Sequence, residues 1–318
     1  MAIIGTDIKE AVRWLEAGET VAIPTETVYG LAAVIFNEEA IHKVYAVKAR
    51  PVSNPLIVHV AGIEKAKELT VDFPPAAEQL ARAFWPGPLT LVLPKNEMVP
   101  DSITAGQPTV AIRVPDHPLT LQLLEELNKP LAAPSANPFN YISPVTALQV
   151  DQMLGNKIPY ILDGGRCQRG IESTIVAFEN NKVKILRPGA VTAAAIEKVL
   201  QQEVLQKKET NIAHPGMFKQ HYSPLTPMML VDEITPSLIK GKKGKVALLL
   251  FDKYSPLASE NDQLLLSANS DLDEAAWNLY DCLHQLDAGG YDLIIAQNMP
   301  QEGIGAAIND RLTKAAQQ

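Results

Sequence analysis

The sequence predicts an α/β protein of two domains, a twisted mixed-sheet domain followed by a smaller open-sheet α/β domain. Three observations predict it: the length, the way short apolar strands mix with amphipathic helices, and a break in pattern near residue 206. The chain has 318 residues, 47% of them hydrophobic and 20% charged. At roughly 100–200 residues per domain, that suffices for two cores, and it excludes a disordered chain, a collagen-like repeat or a coiled coil. Lys and Arg number 28 against 36 Asp and Glu, a net charge of −8. So acidic a chain does not coat nucleic acid at large, and any RNA contact is expected to be local rather than global. Cys167 and Cys282 lie far apart and form no CxxC, which suits a reducing compartment and excludes a Cys-rich zinc site or a disulfide framework. No basic leader opens the sequence and no apolar run reaches about 18 residues, so a cytoplasmic protein without a membrane span is expected.

Asp7-Ile8-Lys9-Glu10 reads as a helix start, an Asp cap with Glu three residues on, which the N-terminus enters directly. Val12, Trp14 and Leu15 give that helix an inner face, and Gly18 stops it. Thr20 to Pro24 is a short buried strand closed by a proline that cannot donate to a ladder. Asn37 to Lys48 is helical through Ile41, Val44, Tyr45 and Val47, and Leu56 to Val60 is a strand. A helix over Pro75 to Trp85, strands over Leu89 to Leu93 and Val110 to Val114, and a helix over His117 to Leu127 follow. Leu131 to Ala133 is a short strand, and Ser143-Pro144, a cap and a first-turn proline, is expected to open a helix to Leu154. Strands over Tyr160 to Leu162, Ser173 to Phe178 and Val183 to Leu186 precede a closing helix over Thr192 to Gln202. Because helices and strands do not alternate strictly, residues 1–205 read as one mixed α/β domain.

Residues 206–226 break the pattern. Two prolines and a glycine forbid a regular element, and three cations against one carboxylate make this segment basic between two acidic domains. A flexible spacer would be bland and Gly/Ser-rich, so this aromatic, basic linker is expected to be ordered and to dock. Residues 227–318 then give a strand over Val246 to Phe251, a helix over Ala275 to Leu286, a strand over Asp292 to Gln297 and a helix over Ala306 to Ala315, a small open-sheet, Rossmann-like domain.

Common chemical signatures are absent. Gly241-Lys242-Lys243-Gly244-Lys245 does not satisfy a P-loop, and Gly303-Ile304-Gly305 lacks the third glycine of a dinucleotide site, so a packed strand–helix turn is the better reading. No HExxH, GxSxG or carboxylate cluster accompanies the six histidines, so no metal is expected on protein side chains. What stands out instead are polar segments at strand ends. Pro24-Thr25-Glu26-Thr27-Val28-Tyr29-Gly30 puts two hydroxyls and a carboxylate in one turn; alone, such a turn is most simply a hydrogen-bonded cap. Lys48-Ala49-Arg50-Pro51 is expected to be held extended by its proline, so that both cations face one anion; a solvated helix end is the plainer reading. Arg113 interrupts an apolar strand and must face water or be paired, either with an anionic ligand or with a structural Asp or Glu. Pro134-Ser135-Ala136-Asn137-Pro138 makes a rigid loop, and Glu172-Ser173-Thr174 and Arg187-Pro188-Gly189 repeat the theme. Together, cations at Lys48, Arg50, Arg113 and Arg187 with hydroxyls at Thr25, Thr27, Thr109, Ser135, Ser143 and Ser173 suit a polyphosphate plus a carboxylate. No nucleophile–base dyad appears, which favours catalysis by positioning and charge stabilisation.

These segments, with Asn54-Pro55-Leu56 and Trp85-Pro86-Gly87-Pro88-Leu89-Thr90 between them, stand in an order that resembles the YrdC-like threonylcarbamoyladenylate synthases. His214-Pro215-Gly216-Met217 and His221-Tyr222-Ser223-Pro224, followed by the extra domain, are similar to the long, two-domain form of that family. The resemblance implies a YrdC-like domain over 1–205, a linker acting as active-site lid over 206–226, and a small domain over 227–318. It implies that L-threonine, bicarbonate or CO2, and ATP give L-threonylcarbamoyladenylate and pyrophosphate, a nucleotidyltransferase reaction. The product would feed N6-threonylcarbamoyladenosine formation at position 37 of tRNA through a downstream threonylcarbamoyl transferase, with Mg2+ arriving on ATP. Carried over residue by residue, Thr27, His59, Arg113, Ala133 (through its backbone) and Ser173 would hold threonine. Lys48, Arg50, Asn54, Thr109, Ser135, Asn137, Ser143 and Arg187 would hold ATP, with Tyr222 covering the site; Lys48, Arg50 and Arg113 would serve the chemistry. Without the resemblance His59 reads as a core histidine.

Two rivals are weighed against this. An RNA-gripping module that does no chemistry would interleave aromatics with exposed cations, whereas aromatics make up only 6% of the chain. A hydrogenase-maturation type of carbamoyl-adenylate former would carry zinc-finger-like and acylphosphatase-like regions, and this sequence shows neither.

Overall fold

The side chain of Asp7 accepts from Lys9 N–H and so starts the first helix where the sequence predicts it, but a strand comes before that helix. The computed structural model describes residues 1–179, 182–206, 220–242 and 244–317. Of these, a first unit holds those in 1–139, 144–168 and 172–206, and a second holds those in 140–143, 169–171 and 220–317. The lid expected over 206–226 falls largely on residues 207–219, which lie outside the described residues.

The first unit begins β1 (Ile3–Gly5), α1 (Ile8–Glu16), β2 (Val21–Ile23), β3 (Gly30–Val34), α2 (Glu38–Lys48) and β4 (Ile57–His59). It continues α3 (Ile63–Lys67), α4 (Pro75–Phe84), β5 (Leu89–Pro94), α5 (Asp101–Thr104), β6 (Thr109–Arg113), α6 (Pro118–Leu127) and β7 (Leu131–Ala132). It ends α7 (Ala147–Leu154), β8 (Tyr160–Leu162), β9 (Thr174–Glu179), β10 (Lys182–Arg187), α8 (Ala193–Leu200) and β11 (Leu205–Gln206). Its strands form one mixed sheet in the order β1-β8-β2-β3-β7-β4-β6-β5-β9-β10-β11. Helices α1 and α6 cover one end of it: Ile8, Ala11, Leu15, Leu123, Leu124 and Leu127 pack on Val21, Ile23, Ala32 and Tyr160. Each fully buried leucine there is worth about 1.5–3 kcal/mol.

The second unit holds β12 (Met228–Val231), α9 (Pro236–Ile239), β13 (Val246–Leu250), β14 (Gln263–Leu265), α10 (Leu272–Ala288), β15 (Leu293–Gln297) and α11 (Gly305–Ala315). Its sheet is parallel throughout, in the order β12-β15-β13-β14. The mixed sheet and the smaller open sheet are those the sequence predicts.

Two local expectations are corrected, and a strand with no counterpart in the sequence reading is added. The Lys48–Pro51 segment is not extended: Lys48 is the last residue of α2, Ala49 is left-handed at φ 52°, and Arg50 N–H closes on Tyr45 O at 2.9 Å. The spacing that would aim both cations one way therefore does not apply. Helix α7 starts at Ala147 rather than after Ser143, because Thr146 is the residue whose hydroxyl accepts from Gln149 N–H, at 3.2 Å. Gln149 reaches back in turn to Val145 N–H at 2.8 Å, a reciprocal cap that fixes the start of the helix. Finally, Gly30–Val34 is a strand paired antiparallel with β2, so the Thr25–Thr27 segment is the turn of a hairpin.

Candidate active site

Register places the polar residues before any side-chain contact is considered. On β4 and β6, His59 pairs with Arg113 and Ile57 with Ala111. On β5 and β6, Leu91 pairs with Ile112, which brings Thr90 beside Arg113. Thr90 pairs with Ile175 on β9, and Ile175 with Arg187 on β10. Side chains of paired residues share a face, so His59, Arg113, Thr90 and Arg187 stand in one row on one face of the sheet. Next to the row on that face lies an apolar patch of Ile57, Val92, Ala111, Ile175, Ala177 and Leu186. Thr109 belongs to the same face of β6, two positions beyond Ala111.

Hydrogen bonds then fix the row. Thr25 Oγ1 donates to Val28 O at 2.6 Å, so its proton is committed. The 2.8 Å contact between the hydroxyls of Thr25 and Thr27 is therefore donated by Thr27. Thr27 Oγ1 accepts from Arg113 Nη1 at 3.0 Å, which leaves it acceptor capacity only. Arg113 Nη2 also forms an ion pair with Glu26 Oε1 at 2.6 Å, and Glu26 Oε2 accepts from Asp116 N–H at 3.0 Å. Of the two partners the sequence left open for Arg113, the structure supplies a carboxylate of the chain itself. Arg113 Nε remains buried with no acceptor among the described residues. At the other end of the row, Arg187 donates from Nε and Nη2 to Ser173 O, at 3.2 and 2.9 Å, and from Nη2 to Ser173 Oγ at 3.2 Å. Ser173 Oγ and Thr90 Oγ1 are 2.8 Å apart. Gly189 permits this: a Cβ there would lie 2.4 Å from Glu172 O.

His59 Nδ1 lies 3.3 Å from Ile57 O. A carbonyl only accepts, so Nδ1 carries the proton and Nε2 is an acceptor. Burial, with the Arg113 charge behind it, holds the imidazole down at about 3, so it is neutral at physiological pH. Burial pushes the Cys167 thiol up to about 12, which removes it as a nucleophile.

A second linked group gathers where β4 begins and β7 ends. Lys48 Nζ donates to Ser135 O and Asn137 O, both at 2.5 Å, tying the end of α2 to the 134–138 loop. Burial, then the Arg50 charge, lowers the Lys48 ammonium well below the usual lysine range. Arg50 Nε and Nη2 donate to Asn54 O and Pro55 O at 3.2 and 2.8 Å. The amide of Asn54 is fully buried with no partner for its nitrogen or oxygen among the described residues. Ala133 N–H donates to Ile57 O at 3.0 Å. The structure thus links Thr27, Arg113 and, through register, His59, Ser173 and Arg187; it links Lys48, Ser135 and Asn137 separately, with Arg50 and Asn54 beside them.

Ser143 and Tyr222 belong to the second unit. Tyr222 is left-handed at φ 63° and buried, its ring 4.0 Å from that of His221 and 5.8 Å from that of Tyr280. Arg311 stands over it at 5.2 Å. Sequence reasoning did not assign Glu26 or Thr90, although both sit inside the motifs it singled out. Glu26 was visible as a carboxylate two residues from Pro24; only tertiary pairing shows that it meets Arg113. Among the described residues no three His, Cys, Asp or Glu side chains gather as metal ligands, and no helix is long and apolar enough to cross a membrane.

Comparison with known proteins gives this arrangement its kin. A family model described as "Telomere recombination" (Sua5_yciO_yrdC) matches residues 13–189. A second, "Threonylcarbamoyl-AMP synthase, C-terminal domain" (Sua5_C), matches residues 191–317. A threonylcarbamoyl-AMP synthase of Pyrococcus abyssi is 37% identical, covering 97% of this chain and 94% of the relative. One of Bacillus subtilis is 39% identical, covering 97% and 92%. The crystal structure of P. abyssi Sua5 complexed with L-threonine superposes with a TM-score of 0.91 at 36% identity, covering 99% of this chain and 97% of that one. With both parts matched in order, the chain belongs to the Sua5/YrdC family of threonylcarbamoyl-AMP synthases, in its two-domain form.

Proposed function

We propose that this chain makes L-threonylcarbamoyladenylate from L-threonine, bicarbonate or CO2, and ATP, releasing pyrophosphate, as a nucleotidyltransferase supplying the N6-threonylcarbamoyladenosine modification of tRNA. The observation that carries the reading is the row His59–Arg113–Thr90–Arg187, with a buried guanidinium nitrogen still able to donate. A carboxylate suits Arg113 Nε. The acceptor oxygen of Thr27 and the acceptor nitrogen of His59 suit the amine and hydroxyl of threonine. The apolar patch beside the row suits a nucleoside. Arg187, Thr109, Ser135, Asn137, Asn54, Arg50 and Lys48 are the ATP side of the proposal, joined by Ser143 and Tyr222 on the family resemblance.

The chemistry asks little of the protein beyond holding. Threonine's amine takes up CO2 as a carbamate, a carbamate oxygen attacks the α-phosphorus, and pyrophosphate leaves. Fixed donors oriented at the developing charge favour that step without reorganisation. No described group of side chains fits a resident metal, so Mg2+ is proposed to come and go with ATP. Bicarbonate, a downstream threonylcarbamoyl transferase, weak tRNA contact and a cytoplasmic setting complete the proposal.

The test is pyrophosphate release from ATP, with bicarbonate and threonine each added or withheld and serine as the control amino acid. Release that requires both bicarbonate and threonine supports the reading; release that ignores them points to a plain nucleotide hydrolase.

A further inference from the structure

Helix α10 carries two polar side chains, one turn apart, that grip a segment distant in sequence. His284 Nε2 lies 3.2 Å from the carbonyl oxygen of Ser143, to which it can only donate. Asp287 Oδ2 accepts from the Tyr141 hydroxyl at 2.5 Å, and its Oδ1 accepts from Thr226 N–H at 2.7 Å. The rings of Tyr141 and His284 meet edge to face, centroids 5.8 Å apart. Ser223 N–H donates to Asn140 O at 2.7 Å. The 140–143 segment is therefore tied both to α10 and to the chain at 223–226, and Asp287 is the node, with one oxygen on each. All these groups lie within the second unit. Asn140 is left-handed at φ 66° and Ser143 is fully buried, so the segment has one conformation to keep and tight partners to keep it.

From this we infer that Asp287, seconded by His284, is a positioning residue for ATP. It holds the segment that presents Ser143 and joins it to the chain emerging from the linker. The inference deepens the function proposed above and rests on its assignment of Ser143 to the nucleotide. A charge-assisted hydrogen bond at each carboxylate oxygen fixes the segment before ATP arrives, so binding spends less on ordering it. The role this gives the second unit is to set the affinity for one substrate and not the other.

The test uses the full chain, with ATP and threonine varied separately in the pyrophosphate assay. Asp287→Asn keeps the shape and removes the charge; KM for ATP is expected to rise about tenfold, while kcat and KM for threonine stay within about twofold. Tyr141→Phe is expected to raise KM for ATP about threefold, and the double variant to be no worse than Asp287→Asn, because the two groups share one bond. A merely structural role would lower the melting temperature without separating the two KM values. If Ser143→Ala raises KM for ATP and Asp287→Asn does not, the positioning inference is overturned and the nucleotide reading stands. If Ser143→Ala leaves KM for ATP unchanged, the nucleotide assignment of Ser143 fails and the inference falls with it. Should Asp287→Asn not fold, Tyr141→Phe decides alone: an unchanged KM for ATP overturns the inference.

Discussion

Arg113 and Glu26 form an ion pair 2.6 Å long, with their side chains 5% and 2% exposed. Such a pair is weak evidence for stability as it stands, but breaking it is expensive because the remaining charge has nowhere to go. Glu26→Gln is therefore expected to cost about 3–5 kcal/mol of folding free energy, read as a lower urea midpoint for the first unit. A midpoint at the parent value would mean that water reaches Arg113.

Arg113→Ala tests the same guanidinium as a binding group. Threonine-dependent kcat/KM is expected to fall by about 2–5 kcal/mol, the usual cost of removing one partner of a buried charge pair. The fall should appear when threonine is varied at saturating ATP. An unchanged threonine dependence would leave Arg113 as the counter-ion of Glu26 and nothing more.

Thr90→Val removes the hydroxyl that lies 2.8 Å from Ser173 Oγ and keeps the shape. Ser173 is still fixed from the other side by Arg187. One neutral hydrogen bond is at stake, so a loss of about 1 kcal/mol in threonine kcat/KM is expected, with stability changed by no more than that. A loss as deep as that from Arg113→Ala would mean that Thr90 touches the substrate itself.

His59 gives the protein a pH dependence whose sign follows from its burial. Its ordinary value is 6.5 and its folded value about 3. Above 6.5 the ring is neutral folded and unfolded and contributes nothing. Below 6.5 the unfolded chain takes the proton and the folded one does not, so stability is lost as pH falls toward about 3, by about 1.4 kcal/mol per unit. Between pH 7 and pH 5 the parent should lose about 2 kcal/mol more than His59→Gln in chemical denaturation. Equal losses would show that the ring titrates in the folded state.

Much of this was legible in the sequence because its signals are local. Asp7 caps the helix it was expected to cap, the helix expected over Asn37 to Lys48 runs Glu38–Lys48, and Tyr160–Leu162 is a strand to the residue. Local signals also explain the errors. Ser143-Pro144 carries a helix-start signature, but Thr146 with Gln149 makes the cap that is used. Gly30–Val34 is small and apolar, with little β propensity of its own, and is a strand because β2 and β7 flank it. The candidate site lies on the far side of this limit. Its residue types were readable, but the row from His59 to Arg187 exists through pairings of β4, β6, β5, β9 and β10, and no local pattern encodes register across strands so far apart in sequence. The partner of Arg113 was left open for the same reason: Glu26 is 87 residues away.

Lys48 is where two physical roles separate most cleanly. The family resemblance makes its charge part of the ATP site, whereas the geometry commits its ammonium to Ser135 O and Asn137 O at 2.5 Å each. An ammonium has three donors; two go to these carbonyls and the third reaches Asn137 Oδ1 at 3.4 Å, while the group is 1% exposed and burial weakens its hold on the proton. If its main work is to hold the 134–138 loop, Lys48→Met strands the Asn137 carbonyl, at about 1–3 kcal/mol, leaves Ser135 O with the Asn137 N–H alone, and the loop loosens. Amide hydrogen exchange at Ala136 and Asn137, whose N–H groups bond to Tyr29 O and Ser135 O, should then quicken with the loss of ATP affinity. If its charge acts on the phosphates, turnover falls while exchange at Ala136 and Asn137 stays at the parent rate. The buried donor geometry favours the first outcome: KM for ATP up, exchange in the loop faster, and KM for threonine unmoved.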